Sequence, residues 1–262
     1  MTTTLPVAAT SLTAESIDGP PPRLTLARVV TTPLVLVVVL VVLYFWVHAK
    51  SLDSIEQRTL NRSYLTEAVL TQLKIALIAS VIILLIAVPL GIVLSRRSAR
   101  FAAPFFLILA NIGQALPAVG LLVILTLVLG VGLKVALVCF VAYGVLPVLR
   151  NTIVGLQAID PDLIEAAKGI GMSPWRVLTR VELPLAVPVL LAGVRTTLVL
   201  TVGVATLATF VNAGGLGDII VNGLKLNRLT VEITGAALTM CVAFFVDWFA
   251  RIAEDVFRPR GL

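Results

Sequence analysis

Residues 165–184 read EAAKGIGMSPWRVLTRVELP. The stretch holds Glu165, Lys168, Arg176, Arg180 and Glu182, two glycines and two prolines. It stands in a chain of 262 residues that is 59% hydrophobic and 13% charged, with a mean hydropathy of +1.07. Charge in a water-soluble domain is nearer about a quarter of residues, so the reference solvent here is the bilayer. A polar, glycine-bearing segment in such a chain needs a physical reason.

Apolar runs flank it on both sides. A helix crosses the hydrocarbon core with roughly 20 mostly apolar residues. Runs of that kind cover 29–47, 73–94, 103–129, 134–149, 188–211 and 231–249. The fold class is therefore an all-α polytopic membrane protein with about six transmembrane helices. Residues 1–28, rich in Thr, Ala, Ser and Pro, read as a disordered cytoplasmic tail. Residues 29–49 read as an N-terminal anchor helix and 65–256 as the transmembrane domain, with a coupling segment at 160–184. A signal peptide is the rival reading of the first run. An h-region has only about 7–15 residues, and Tyr44, Phe45 and Trp46 suit an interfacial belt.

Basic residues set the orientation. The tail, the loop after the second run, the segment 150–184 and the C-terminus hold Arg23, Arg28, Arg96, Arg97, Arg100, Arg150, Lys168, Arg176, Arg180, Arg251, Arg258 and Arg260. The alternate loops hold Lys50, Arg58, Arg62, Lys74, Lys134, Lys225 and Arg228. By the positive-inside rule both termini and 160–184 are cytoplasmic. The net charge of +6 is thus a topology signal rather than a nucleic-acid footprint. Trp248, with Asp247 and Arg251 four residues apart, suits an anchor at the inner end of the last run. Arg195 is expected to snorkel to the same interface.

The polar segment carries helix-start signals. Asp160-Pro161-Asp162 supplies an N-cap, a proline at the first helical position and an acid in the first turn. Gly169 or Gly171 supplies a left-handed stop, and Ser173-Pro174 starts a second short helix towards Pro184. Two short helices joined by a glycine elbow are not stable alone, so they rest on their own subunit or on a partner. A solvated connector that happens to be helical is the plain alternative.

Glu165-Ala166-Ala167, Gly171 and the closing Val181-Glu182-Leu183-Pro184 resemble the EAA loop of permease subunits of bacterial ABC importers, with Val181 where the family has Ile. The resemblance implies a type I ABC importer permease fold, like that of the methionine importers. It implies that 160–184 contains the coupling helix that docks into a separate ATPase. Glu165, Ala166 and Ala167 would be its docking face, Gly169 and Gly171 its turn, and Leu183 and Pro184 its exit. The segment from Leu183 to Asp218 resembles the quaternary-amine branch, which carries glycine betaine, choline, carnitine and proline-type osmoprotectants. An importer for methionine or another small solute is the alternative, followed by a stand-alone channel or ion-coupled carrier. Implied partners are cytoplasmic ATPase subunits, a second permease subunit (a copy or a paralogue), an external binding protein and a small osmolyte. The implied location is the bacterial inner membrane.

The chain carries no phosphate loop of the G-x-x-x-x-G-K-[ST] kind, because Gly214, Gly215 and Gly217 are followed by neither Lys nor Ser/Thr. It therefore needs no cofactor of its own, ATP and magnesium falling to the partner ATPase, and no catalytic residue is expected. Cys139 and Cys241 lie in apolar runs, and with His48 the only histidine, neither a disulfide framework nor a metal site is expected.

Polar residues inside the spans offer candidates for a path. Asn111, Gln114 and Pro117 interrupt the third run, and Tyr143 lies in the fourth. Intramembrane polar groups face the bundle interior or a watery cavity, and interhelical hydrogen bonding is the other use of an amide. Asn212, Gly214, Gly215 and Gly217 are expected to form a flexible outer loop.

Overall fold

A computed structural model describes residues 26–257. The expectations for the tail up to residue 25 and for Arg258 and Arg260 lie outside the described residues. Helix α1 spans Leu26–His48. A short helix α2, Ser54–Thr59, follows, closed by a reciprocal cap in which Asp53 accepts from the Glu56 backbone and Glu56 from that of Asp53. Helix α3, Arg62–Ser95, starts eleven positions before the expected 73 because Asn61 caps it. Its first turns carry Glu67, Gln72 and Lys74, polar residues that mask the helical run.

The third apolar run is a correction to the expectation of one span. It forms two helices, α4 (Ala103–Ala115) and α5 (Ala118–Leu129), bent by 99° at Leu116-Pro117. Pro117 has no N–H to continue the ladder and disfavours a helical conformation at Leu116, so the break falls where the chemistry puts it. Helix α6, Leu133–Gln157, outruns the expected 134–149 by two turns. Helices α7, Pro161–Gly169, and α8, Pro174–Val177, form the polar segment. A π-helical turn at Leu178–Glu182 then leads into α9, Leu183–Val204. The second short helix is thus not separate, as expected, but the first turn of the α9 rod. A 3₁₀ stretch, Ala205–Val211, precedes α10 (Leu216–Lys225) and α11 (Leu229–Phe257).

Among the described residues five helices are long and apolar enough to cross a membrane, or six when the bent pair counts as one. Their core is built around α3. Its Ile75 and Ala79 pack with Leu122 of α5 and Phe140 of α6, its Ile83, Ala87 and Leu94 with Ala110 of α4 and Leu149 of α6, and its Ala68 and Ala76 with Val202, Ile219 and Val242. Small residues let the backbones close in, as bilayer helices require. A Cβ on Gly144 would lie 2.5 Å from Ile83, and one on Gly193 2.9 Å from the Pro147 carbonyl.

Ion pairs fasten the bundle. Arg195 of α9 is engaged: its Nε donates to half-buried Asp247 of α11 at 2.6 Å, and Arg251 donates to the same carboxylate at 2.8 Å. Trp248 donates its indole N–H to the Val29 carbonyl at 2.9 Å, so it pins α1 to α11. At the other end Arg228 pairs with Asp53 at 2.6 Å, fixing α2 to the α10–α11 corner. Cys139 and Cys241 are free and buried, as the sequence predicts.

Candidate functional site

The polar segment is built as a handle. Asp160 accepts from the Asp162 backbone N–H at 2.9 Å, Pro161 opens α7, and Gly171 (φ +83) reverses the chain. Gly169 stays in the helix, so Gly171 alone supplies the left-handed turn. Ser173 occupies the N-cap of α8 but makes no side-chain cap bond. The expected docking trio is divided. Glu165 and Ala166 are exposed, whereas Ala167 is 7% exposed and turned into its own chain, where its carbonyl accepts from Met172.

Three apolar residues that sequence reasoning did not single out complete the exposed face. Leu163 and Ile170 project from α7 and its end, and Trp175 opens α8; Ile170 is 81% and Trp175 71% exposed. Their signal was available, since a large aromatic in a polar, capped segment has no core to fill. Such residues belong to contact surfaces.

The handle is tied to the bundle by a pair that no local pattern announces. Both terminal nitrogens of Arg96, just past α3, donate to the two oxygens of Glu182, at 2.9 and 2.6 Å. Glu182 is 4% exposed, so its carboxylate depends on that fork. Donating to the Glu182 carboxylate raises the Arg96 guanidinium above its ordinary value. Leu183 and Pro184, the expected exit, form the first turn of α9.

At the far end of α9 the 212–218 loop, expected to be flexible, is packed against α3 and the 3₁₀ stretch. Asn212 sits at φ 59, a left-handed conformation that Asn tolerates best after Gly. Gly214 and Gly215 carry φ +82 and +104, and Gly217 already lies in α10, packed against the backbone of Thr206. Gln72 of α3, fully buried, holds the loop in place. Its Nε2 donates to the Val202 carbonyl at 2.7 Å, and its Oε1 accepts from the Leu216 N–H at 3.2 Å. That N–H is therefore committed to Gln72. With no lysine beside it, the glycine cluster does not suit a nucleotide phosphate.

The path candidates gather around the α4–α5 elbow. Asn111 is exposed and donates to the Leu107 carbonyl at 2.9 Å, Gln114 is half-buried, and Pro117 caps α5. A Cβ on Gly113 would lie 2.7 Å from the Ala142 carbonyl, so the elbow abuts α6 beside half-buried Tyr143. A cavity of about 640 Å³ lies elsewhere, between α1 and the bundle, lined by Tyr44, His48, Arg62 and Leu238 among others. It contains none of the four.

Comparison with known proteins agrees with this architecture. Residues 87–258 match the model of the binding-protein-dependent transport system inner membrane component family. The chain is 40% identical over 190 residues to the glycine betaine/carnitine/choline transport system permease protein OpuCB of Bacillus subtilis, covering 72% of this chain and 87% of that one. It is 35% identical over 232 residues to the osmoprotectant import permease protein OsmY of Salmonella typhimurium, covering 87% and 96%. A solved structure of the MetNI methionine ABC transporter in an inward-facing conformation has the same fold. Its TM-score is 0.64 at 23% identity, over 74% of this chain and 96% of that chain. The bent, glycine-packed bundle with its polar handle belongs to the family of binding-protein-dependent transport system inner membrane components.

Proposed function

We propose that this chain is the membrane-spanning subunit through which an ATP-driven importer moves an osmoprotectant of the glycine betaine, choline, carnitine or proline type. It is a transport subunit and not an enzyme. The carrying observation is the handle: a capped, exposed segment with Glu165, Ala166, Ile170 and Trp175 outward, tied to the bundle by Arg96–Glu182. A separate ATPase, holding ATP and magnesium, docks on that face. An external binding protein delivers the solute at the 212–218 end. A second permease subunit completes the path, and both termini are cytoplasmic.

The relatives' substrates support the choice of solute, and the chemistry is consistent with it. A quaternary amine with a carboxylate is nearly neutral overall and needs no full counter-ion along its way. Asp247 is already engaged by Arg195 and Arg251 and does not offer itself to a cation. Asn111, Gln114 and Tyr143 are neutral polar groups suited to such a solute.

Uptake tests the reading. The chain is expressed with its ATPase and binding protein in cells lacking their own osmolyte importers, and labelled betaine, choline, carnitine, proline and methionine are offered. Uptake of at least one of the first four, lost when the ATPase is removed, is expected. Uptake of methionine alone would overturn the solute, and uptake without the ATPase would overturn the importer.

A further inference from the structure

We infer that α3 is the transmission rod of the transport cycle, and that Arg96 and Gln72 are positioning residues gripping the handle at one end and the 212–218 loop at the other. The inference rests on the docking role of the handle proposed above.

The covalent route from α7 into α9 runs through the Gly171 turn and α8. It passes through the π-helical turn at Leu178–Glu182, where the hydrogen-bond ladder is widened by a residue. It then meets Pro184 and Pro188, neither of which has an N–H to donate. The Arg96–Glu182 pair branches off at the last residue of the π-helical turn, ahead of Pro184 and Pro188. Its two short, parallel hydrogen bonds hold both distance and orientation, and the buried carboxylate has no other partner among the described residues.

Helix α3 is built to carry what the pair imposes. It is continuous over 34 residues, across Pro89. Its buried side chains enter three apolar clusters among the described residues, and Val88 and Ile92 pack against a fourth. From Arg96 to Gln72 is about 36 Å at 1.5 Å per residue, most of a bilayer thickness. At that second position one amide does two things. Its N–H₂ holds the Val202 carbonyl near the end of α9, and its oxygen holds the Leu216 N–H at the start of α10. Those two elements bracket the 212–215 turn. A Cβ on Gly215 would lie 2.6 Å from the same oxygen, so the loop is fitted to the amide as well as bonded to it. A slide or turn of α3 breaks both bonds together. Docking and release at the handle are thereby linked to the fastening of the opposite loop.

Reconstitution of the complex with its ATPase and binding protein in proteoliposomes separates this from docking. Three quantities are read: basal ATP hydrolysis, its stimulation by the solute-loaded binding protein, and uptake. Gln72→Leu, close in volume and without polar atoms, is expected to keep bound ATPase and basal hydrolysis. Stimulation and uptake should fall about tenfold, as expected for losing partners of buried backbone groups. Glu182→Arg is expected to lose uptake similarly. The charge exchange Arg96→Glu with Glu182→Arg should restore uptake to within about threefold, since it remakes a paired site. Full stimulation and uptake in Gln72→Leu, or an exchange no better than Glu182→Arg alone, would overturn the inference. Where Gln72→Leu does not reach the membrane, Gln72→Glu is read instead; it keeps the acceptor for Leu216 and loses the donor to Val202. Unchanged stimulation there overturns the rod equally. Loss of bound ATPase in Gly171→Leu, tested alongside, is expected from the docking role; its retention would count against that role and not against α3.

Discussion

Two of the glycine-bearing interruptions in this apolar chain, at 169–171 and at 214–217, are built in opposite ways. At the first, Gly171 has a left-handed φ of +83 and nothing within 4 Å of where a Cβ would stand. Around it Ile170 and Trp175 face outward. At the second, Gly215 is left-handed too, but its space is filled by Gln72, and Gly217 lies against the Thr206 backbone. A polar loop in a membrane protein is therefore read by what surrounds its glycines. Open space with stranded apolar side chains indicates a surface awaiting a partner; closed space indicates a joint within the subunit.

Substitutions at the two sites break or sharpen that contrast, and the closed joint is the more sensitive. Gly217→Ala places a methyl in collision with the Thr206 carbonyl, which is backbone and has no rotamer to yield. The expected cost is about 3 kcal/mol, at the upper end for overpacking. It is measured as a lower thermal midpoint and lower yield of the purified protein. An unaltered midpoint would show that the joint is loose.

Gly215→Ala combines a φ of +104 with a contact at 2.6 Å to a side-chain oxygen. Backbone and contact together are expected to cost about 2 kcal/mol. Part of this should be recovered in the double variant with Gln72→Ala, since only the contact disappears and the backbone strain stays. Strict additivity of the two changes would mean that Gln72 and Gly215 do not meet.

At the open site Gly171→Ala meets no neighbour and pays only for its left-handed backbone, about 1 kcal/mol. The midpoint should barely move, while uptake falls because the turn that aims α7 has changed. A large loss of stability would mean that the handle is packed into its own subunit after all.

Much of this architecture was legible in the sequence because the bilayer enforces it. The apolar runs and the capped start at Asp160 follow from local chemistry, whereas the 99° bend at Leu116-Pro117 was not anticipated although its proline stood in the sequence. What else escaped depends on residues far apart in the chain. Glu182 meets Arg96 across 86 positions and Gln72 meets Leu216 across 144, and no spacing rule links them. Gln72 was hidden further because α3 begins in polar turns, so the apolar run appears to start one residue after it. The same blindness hid the partner of Arg195, since Asp247 lies on another helix. It also hid the contacts of Gly215 and Gly217, whose neighbours Gln72 and Thr206 are distant in sequence or unmarked by any motif. Ala167 illustrates the limit within a motif: of two adjacent alanines on one helix, Ala166 is exposed and Ala167 buried, and only packing says which is presented.

The smallest change in stability and the most informative change in binding are expected from Trp175→Ala. The side chain is 71% exposed and its truncation leaves no cavity in the subunit, so the thermal midpoint should shift by no more than about 0.5 kcal/mol allows. An exposed tryptophan at the start of α8, three residues past the open Gly171-Met172 turn, is nevertheless the side chain a partner would desolvate with most gain. Aromatic anchors of this kind typically contribute more than about 1 kcal/mol when buried in an interface. Trp175→Ala is therefore expected to weaken ATPase association about tenfold or more while the closed joint at Gly215 and Gly217 stays intact. Titration of the ATPase against the permease in nanodiscs reads the affinity directly, and the midpoint of the same sample reports the fold. Equal affinity in the variant would remove Trp175 from the docking face and leave Glu165 and Ala166 to carry it; a large fall in midpoint would show that the tryptophan packs on its own chain, and the distinction between open and closed glycine sites would fail at the residue that expresses it most strongly.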